Sequence, residues 1–283
     1  YKVAVHEMIQ TPVHYGRYKS QYNEISRENS PEWLNTFRKR GMDDFTSLGF
    51  PTSRRGNENW KYTNVNPIAN SEFGIPGKTN LTIEELKKIV PWDNNWISLV
   101  FINGYYAAEL SNTSDNDQCH IGNLSDAIQN ENRVVEEHLG SITTSCDDGF
   151  TALNTAFVRE GAFVHIPKGI TVESPLHLIF LSTEYTSPFI VHPRVLVVAD
   201  TDINATIIES YVSLGSNRYF SNTVSEFVLK SGSDIEHYRL LDESDDAFHV
   251  GVARVTQENG SKFCSTAFYN NGLLGRHDLL VTI

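Results

Sequence analysis

The sequence is poor in cysteine, in basic residues and in long apolar runs, and each shortage argues against a class of protein. Its 283 residues include 3 cysteines with no Cys-x-x-Cys spacing, which disfavours a disulfide framework and a zinc knuckle. Asp and Glu number 35 against 23 Lys and Arg, a net charge of −12, so nucleic acid is not an expected partner. The sequence has no run of about 18 apolar residues, so no membrane span is predicted.

The two ends of the sequence bear on the compartment of the protein and on whether the chain is truncated. The first six residues contain no apolar signal-peptide core and no initiator Met. The last residues, 279–283, have the apolar pattern of a strand rather than of a polar tail. We therefore expect a cytoplasmic protein with reduced thiols, and a chain that is truncated at its C-terminal end.

The last third of the sequence contains a repeated pair of strands. Segments around Thr206, Ile235 and Phe263 align at intervals of 235 − 206 = 29 and 263 − 235 = 28 residues. Each has an apolar segment before it, and these are residues 195–199, 226–230 and 253–257. A single coil of two strands cannot bury its apolar face alone, so the repeat predicts coils stacked into a β-solenoid.

The earlier part of the chain has a mixed pattern. Ser30-Pro31-Glu32 has the residues of a capped helix start, and Arg38-Lys39-Arg40-Gly41 those of a helix stop. Thr82 and Glu85 predict a capping box on a helix that ends near Val90.

Further elements follow before the repeats begin. Two apolar segments, Ile97–Ile102 and 105–110, flank Asn103-Gly104 and predict a hairpin with a type I′ turn. Helices are expected over 125–139 and around Phe150 and Leu153. The predicted fold is mainly β, a right-handed parallel β-helix over 149–283 preceded by a mixed α/β region over 1–148.

One segment with a glycine and two acidic segments have the residues of known ligand sites. Gly77-Lys78-Thr79 resembles the tail of a phosphate-binding loop, but Glu72 stands where that loop requires glycine. The pair Asp200 and Asp202 and the acidic run 242–246 contain the ligands of a hard cation. Both fall at expected turns, where aspartate also supports the backbone, so solvated turns are the favoured interpretation.

The histidines of the repeat region are candidates for a soft metal site. They are His237, His249 and His277, with Cys264 as the associated thiol. Because His237 and Cys264 fall one position out of alignment, they are expected on opposite faces of their strands. Cys119 and Cys146 lie in polar loops with no visible feature that lowers a thiol pKa. We therefore predict no catalytic residue and no metal ligand, and identify no cofactor-binding residue.

Several segments resemble the SufB/SufD family of iron–sulfur cluster assembly proteins. The segments, in chain order, are Gly49-Phe50-Pro51 with Trp60-Lys61-Tyr62-Thr63, Phe150-Thr151-Ala152-Leu153-Asn154, Ile166-Pro167-Lys168-Gly169, His192-Pro193-Arg194, Glu209-Ser210-Tyr211 and Phe220-Ser221-Asn222-Thr223-Val224. Their order and spacing carry the resemblance from Gly49 to the end. The Trp-Lys-Tyr-Thr element and the short acidic N-terminal region are more similar to the SufD branch than to SufB.

The resemblance implies a scaffold that pairs with SufB as a heterodimer and contacts the SufC ATPase in a SufBCD complex. It implies no intrinsic cofactor, with iron or an iron–sulfur cluster held only transiently in the complex, and it is compatible with a homodimer in isolation. The functional histidine of the family and its SufC-binding helices fall beyond Ile283, so no site residue is carried over. Trp60 and Tyr62 are interpreted as an apolar anchor of the N-terminal region in preference to an interaction patch.

A non-catalytic assembly scaffold is the function that the sequence predicts. The alternative is a β-helix polysaccharide lyase or another carbohydrate-active enzyme, which requires calcium-dependent stability and an export signal. A hexapeptide-repeat acyltransferase requires an apolar period of six residues, and none is visible.

Overall fold

The computed structural model describes residues 9–10, 15–52, 58–113, 119–130 and 132–283. The N-terminal residues 1–6, on which the export prediction depends, lie outside these ranges, as do residues 53–57 of the loop before Glu58. None of the helices in the described ranges is both long and apolar enough to cross a membrane.

The described helices all lie before residue 157, and the long strands follow them. The helices are α1 (Tyr15–Ile25), α2 (Glu32–Leu48), α3 (Asn66–Ala69), α4 (Ile83–Leu86), α5 (Leu124–Gln129), α6 (Arg133–His138) and α7 (Gly149–Ala156), with 3₁₀ turns at Glu58–Trp60 and Ala108–Leu110. The strands are β1 (Ile9–Gln10), β2 (Phe50–Pro51), β3 (Ile97–Ile102), β4 (Tyr105–Tyr106), β5 (His120–Asn123), β6 (Gly161–Ile166), β7 (Thr171–Thr183), β8 (Phe189–Val191), β9 (Arg194–Ala199), β10 (Asn204–Leu214), β11 (Tyr219–Leu229), β12 (Asp234–Asp242), β13 (Phe248–Gln257), β14 (Lys262–Asn271) and β15 (Leu274–Thr282).

Two largely parallel sheets form a β-solenoid of about four turns, which confirms the predicted fold class. One sheet has the strand order β14-β12-β10-β7-β3-β4 and the other the order β15-β13-β11-β9-β6-β5. Alternate apolar side chains of both sheets, such as Val197, Ile207, Phe227 and Ile235, fill the space between them. Because each coil covers the apolar edge of the next, this core runs continuously along the solenoid axis.

The spacing between coils differs from the predicted one at one step. Ile235 pairs with Phe263, as predicted, but with Ala205 instead of Thr206, so the earlier interval is 235 − 205 = 30 residues. Ala205 and Ile235 are both buried in the core, whereas Thr206 pairs with the exposed Glu236. A slip of one residue would turn every inward side chain outward, and burial of the apolar set therefore fixes the register.

Helix α2 continues through the predicted stop, and the prediction of a helix end at Gly41 is wrong. At Gly41, α2 crosses α7 so closely that a Cβ would lie 2.5 Å from the backbone nitrogen of Ala156. Glycine here allows two helices to touch, and α2 ends before Gly49, whose φ is 60°. The predicted Ser30 cap is also wrong, because Pro31 occupies the cap position and no side chain caps the helix.

The other N-terminal predictions have mixed outcomes. The Thr82–Glu85 capping box is confirmed, but α4 already ends at Leu86. The hairpin is confirmed in β3 and β4, although its second strand is shorter than predicted. Positive φ values at Asn103 and Gly104 fit its turn.

The single helix predicted over 125–139 is wrong, whereas the short helix around Phe150 and Leu153 is confirmed as α7. The segment 125–139 forms α5 and α6, and Asn132 caps the start of α6. A capping asparagine favours a new helix start over continuation, because its side chain bonds the backbone N–H of Val134.

A layer of helices covers the outer face of one sheet. Leu34 of α2, Leu124 of α5 and Val135 of α6 form one buried cluster with Phe163 and Leu196 of the sheet. The strands β3 and β5, from before residue 149, pair with β7 and β6 of the solenoid. The division of the chain into 1–148 and 149–283 stays a prediction.

Candidate functional site

A set of polar side chains takes the place of apolar core in one part of the solenoid interior. The inward alternation that buries Ile207 and Ile235 continues with charged residues on the same strands, Glu209 on β10 and Arg239 on β12. We call the following residues the interior ion cluster, and each is at most 4% exposed: Glu209, Tyr211, Ser221, Thr223, Ser225, His237, Arg239, Glu243 and His249.

Glu209 and Arg239 form the centre of the interior ion cluster. They are direct neighbours in the parallel pairing of β10 and β12, and Arg239 Nη1 donates to Glu209 Oε2 at 2.6 Å. The hydroxyl groups of Tyr211 and Ser225 donate to the same oxygen at 2.7 and 3.2 Å. Burial alone would raise the pKa of Glu209, but Arg239, His237 and Tyr211 hold that pKa well below its usual value. Glu209 is therefore ionised.

A chain of hydrogen bonds extends the cluster from Arg239 to a second carboxylate. Arg239 Nη2 donates to Thr223 Oγ1 and to His249 Nε2, both at 2.8 Å. Because Nε2 accepts, the proton of the neutral imidazole lies on Nδ1, which donates to Glu243 Oε2 at 2.8 Å. Burial lowers the pKa of His249, and nearby Arg239 lowers it further against the opposing effect of Glu243. The imidazole thus stays neutral between an arginine and a carboxylate.

Two further histidines lie beside this chain. His237 Nδ1 is 2.9 Å from Ser265 Oγ, and its Nε2 is 3.4 Å from Glu209 Oε1, within ion-pairing distance but without hydrogen-bond geometry. His277 pairs in register with Gly251, and burial lowers its pKa far below 6.5. Within the described ranges, four buried atoms here have no hydrogen bond: Glu209 Oε1, His237 Nε2, Arg239 Nε and His277 Nδ1.

Gly251 makes room for the arginine of the cluster. A Cβ at this position would lie 2.6 Å from Arg239 Nη2 and 2.9 Å from Thr223 Oγ1. No side chain larger than hydrogen fits between the guanidinium and β13 without displacing one of them. The interior ion cluster is therefore built on a backbone contact as well as on side chains.

The structure gathers the three predicted histidines but not the predicted thiol. Cys264 pairs with Glu236 on β12 and is exposed, which confirms that it does not share a face with His237. Arg239 lies in the middle of the cluster and occupies the lone pair of His249, so this set is unsuited to a cation. The parts of the chain that the structure describes hold no group of three or more His, Cys, Asp or Glu that could bind a metal ion.

The other candidate residues lie apart from one another. Asp200 is paired with His165 at 3.1 Å, and Asp242 accepts hydrogen bonds from Asn270 and Asn271. Lys78 lies over the ring of Tyr105, 5.5 Å from its centroid.

The three predicted free thiols also lie outside the interior ion cluster. Cys119 is partly buried, and burial raises the pKa of its thiol, whereas Cys146 is exposed. A raised pKa disfavours the reactive thiolate at Cys119.

The Trp-Lys-Tyr-Thr segment binds the last described strand. Trp60 is buried, and the guanidinium of Arg276 on β15 lies 4.0 Å from the centroid of its ring. Arg276 Nη1 also donates to Thr63 Oγ1 at 3.1 Å. Trp60 is thus the anchor that the sequence predicted, whereas Tyr62 is 90% exposed and anchors nothing. We call the contact of Trp60 and Thr63 with Arg276 the tryptophan clasp.

The central charges of the interior ion cluster were not predicted from the sequence. Glu209 and Arg239 were absent from the candidate site residues, although Glu209 formed part of the family resemblance. Glu243 was considered only within the acidic run 242–246, as a ligand of a hard cation. The usable signal was a charged residue at an inward position of an alternating strand, as in Ile207-x-Glu209 and Ile235-x-His237-x-Arg239.

Comparison with known proteins gives two family matches that cover almost the whole chain. Residues 11–178 match the SufBD protein N-terminal region, and residues 180–283 match the SufBD core domain of the SUF system for FeS cluster assembly. An iron–sulfur cluster assembly SufBD family protein of Synechocystis is 31% identical over 254 residues, which are 87% of this chain and 55% of the relative.

Relatives of both named types occur in Bacillus subtilis. Its iron–sulfur cluster assembly protein SufB is 23% identical over 87% of this chain and 55% of its own length. Its SufD is 24% identical over 78% of this chain and 50% of its own length. The chain therefore spans about half the length of these curated relatives. On the two family matches, the chain belongs to the SufBD family of iron–sulfur cluster assembly proteins.

Proposed function

We propose that this chain is a SufD-type scaffold of the cytoplasm that pairs with SufB and engages the SufC ATPase. The observation that carries the proposal is the pair of family matches, which together extend along both the N-terminal region and the solenoid. The names of the Bacillus relatives support a system with two related chains, since both SufB and SufD match this sequence. The Trp-Lys-Tyr-Thr segment favours the SufD branch.

The proposed scaffold is non-catalytic and has no resident cofactor. Its interior ion cluster joins neighbouring strands of the solenoid by buried hydrogen bonds. Iron or an iron–sulfur cluster is held transiently by the assembled complex as its cargo. Family membership favours this function over the polysaccharide lyase, which also requires stabilisation by calcium.

Mixing the protein with SufB and SufC of the same organism, followed by sizing with light scattering, tests the proposed pairing. We expect a complex that contains all three chains, and the same chain with SufC alone serves as the control for SufB dependence. A chain that remains monomeric in the three-component mixture contradicts the proposal.

Two further comparisons test the finer parts of the proposal. A SufD-type chain should pair with SufB and not with a second SufD, whereas the reverse result assigns it to the SufB branch. Thermal melts with and without calcium separate the scaffold from the lyase, because a scaffold melts at the same temperature in both.

A further inference from the structure

A polar cleft lies between the start of α2, α5 and the segment that follows α7, away from the interior ion cluster. It has a volume of about 190 Å³. The residues used below are Glu28, Ser30, Arg38, Ser125 and Arg159, all of which line the cleft.

Arg38 is a buried cation with no carboxylate partner among the described residues. It is 3% exposed, its Nε donates to the carbonyl oxygen of Val158 at 2.7 Å, and its Nη1 donates to Ser30 Oγ at 3.0 Å. Both acceptors are neutral, and Nη2 has no hydrogen bond in the ranges that the structure describes. A buried charge without a counter-charge is costly, so the side chain of Arg38 is suited to an anionic ligand.

The uncapped N-terminus of α2 lies at the same cleft. This helix has 17 residues, Pro31 at its cap position has no capping side chain, and its first intrahelical bond joins Asn35 N to Pro31 O. The backbone N–H groups of Glu32, Trp33 and Leu34 precede that bond and point along the helix axis. The positive end of the helix dipole adds to the charge of Arg38 at this place.

The two carboxylates at the rim of the cleft are already engaged elsewhere. Glu28 pairs with Arg159 at 2.8 Å, and both side chains are more than one-third exposed. Glu160 accepts the backbone N–H of Tyr106, and burial raises the pKa of its carboxyl group. Neither carboxylate neutralises Arg38 by direct contact.

We propose that this cleft binds a tetrahedral oxyanion, a phosphate group that is either free or in ester linkage. Arg38 supplies the buried charge, and Ser30, whose hydroxyl oxygen accepts from Arg38, has its own hydrogen left to donate. Pro31 and Leu34 at the start of α2 and Ser125 of α5 also line the cleft, so the N-terminus of α2 and a further hydroxyl group lie beside it. Donors that surround a ligand in three dimensions suit the oxygens of a phosphate better than the two coplanar oxygens of a carboxylate.

Titration of the protein with inorganic phosphate at pH 7 and low salt, followed by calorimetry, tests the site. We expect saturable binding that Arg38→Met weakens by at least about tenfold, because a charge-assisted hydrogen bond is lost. Arg38→Lys keeps the positive charge but not the planar, two-pronged donor geometry of the guanidinium group. It is expected to bind phosphate more weakly than the natural protein. The matched control is Arg40→Met, an exposed arginine of the same helix that faces Asp44 at 3.9 Å; it should bind phosphate normally.

A gain-of-affinity variant keeps the proposal testable even if Arg38→Met fails to fold. Glu28→Gln removes the carboxylate that competes for Arg159, so phosphate should bind several-fold more tightly than in the natural protein. Loss of structure cannot produce that result. Unchanged affinity in Glu28→Gln, or no phosphate binding by the natural protein, overturns the proposal.

Competing ligands distinguish the anion class and its source. Sulfate should displace phosphate, and acetate at the same concentration should not. Equal displacement by acetate contradicts the assignment to a tetrahedral group. Glycerol 3-phosphate that binds more tightly than inorganic phosphate indicates an ester as the source, and the reverse order indicates the free ion.

Discussion

The solenoid has two buried arginine–glutamate pairs, one on its outer face against the helices and one in its interior. They differ in how many of their side-chain nitrogen and oxygen atoms have a hydrogen-bond partner. Arg194 and Glu226 lie on the face that meets the helices, where Arg194 Nη2 donates to Glu226 Oε2 at 2.5 Å. Asn154 of α7 accepts from Arg194 Nη1, and the backbone N–H of Gly140 donates to both oxygens of Glu226. No side-chain atom of this pair lacks a partner.

The pair of Glu209 and Arg239 lies inside the solenoid and is left incomplete. One oxygen of Glu209 carries three hydrogen bonds and the other none, and Arg239 Nε is also unbonded within the described ranges. The comparison shows that the same two residue types form a saturated joint at the helix–sheet interface and an unsaturated, histidine-rich group in the interior. The pair whose polar atoms all have partners attaches the helices to the sheet. The buried atoms without hydrogen bonds in the interior pair are not explained by such an attachment.

The largest effect is expected from Glu226→Gln. The substitution leaves Arg194 buried with no counter-charge and weakens the bond to Gly140, at a cost of about 3 kcal/mol or more in the free energy of unfolding. Urea denaturation measures the change. Asp43→Asn, in the exposed pair with Lys39, is the control and should have almost no effect on the free energy of unfolding. Equal losses in the two variants contradict the view of a structural joint.

A smaller loss is expected from the same chemical change at Glu209. In Glu209→Gln the amide oxygen can keep the three bonds of Oε2, while the amide nitrogen faces His237 Nε2, which has no partner now. Arg239 also retains Glu243 as a counter-charge through His249. We expect a loss of about 1 to 2 kcal/mol by urea denaturation. A loss as large as that of Glu226→Gln removes the distinction between the two pairs.

Acid should weaken the interior ion cluster through His249. The pKa of His249 in the folded protein is below its ordinary 6.5, so its contribution to stability is present above that value and is lost as the pH falls below it. A proton on Nε2 would face the N–H donor of Arg239, so the hydrogen bond between His249 and Arg239 would be lost. His249→Gln should reduce the slope of unfolding free energy against pH by at most about 1.4 kcal/mol per pH unit. An unchanged slope between pH 6.5 and 4 contradicts this assignment.

The smallest effect is expected at a third arginine, Arg276. It tests whether burial determines how much free energy of unfolding is lost when an arginine contact is removed. Arg276 in the tryptophan clasp is partly exposed and also pairs with Asp278 at 2.9 Å. Arg276→Met should cost about 0.5 to 1 kcal/mol and change the fluorescence of Trp60. Lys61→Met, which removes a cation from the exposed ring of Tyr62, should have no measurable effect. A loss at Arg276 that equals the loss at Glu226 would show that burial is not decisive.

The solenoid was predictable because its signal is local and repeated. Alternating side chains and turns recur in every coil, and inward burial then selects one register. The helix stop at Gly41 was wrongly predicted because the residues that end a helix also permit a close crossing with α7. The single helix over 125–139 was wrongly predicted because its apolar pattern continues across the capping Asn132.

The interior ion cluster was only half predictable from the sequence. Alternation places Glu209, His237 and Arg239 on the inward face of their strands. It does not say which residue of the opposite sheet they meet, because β10 and β11 are joined by a turn whose geometry sets that match. The contact between Arg239 and His249 therefore needed the structure.

The absence of a side chain at Gly251 links this position to Arg239 on another strand. Its missing side chain is the space that Arg239 fills, so alanine at 251 would be tolerated only with a shorter residue at 239. Among related sequences, a residue larger than glycine at 251 should therefore occur only where the residue at 239 is smaller than arginine. The buried charge of Arg239 thus depends on the absence of a side chain on β13, the next strand along the chain.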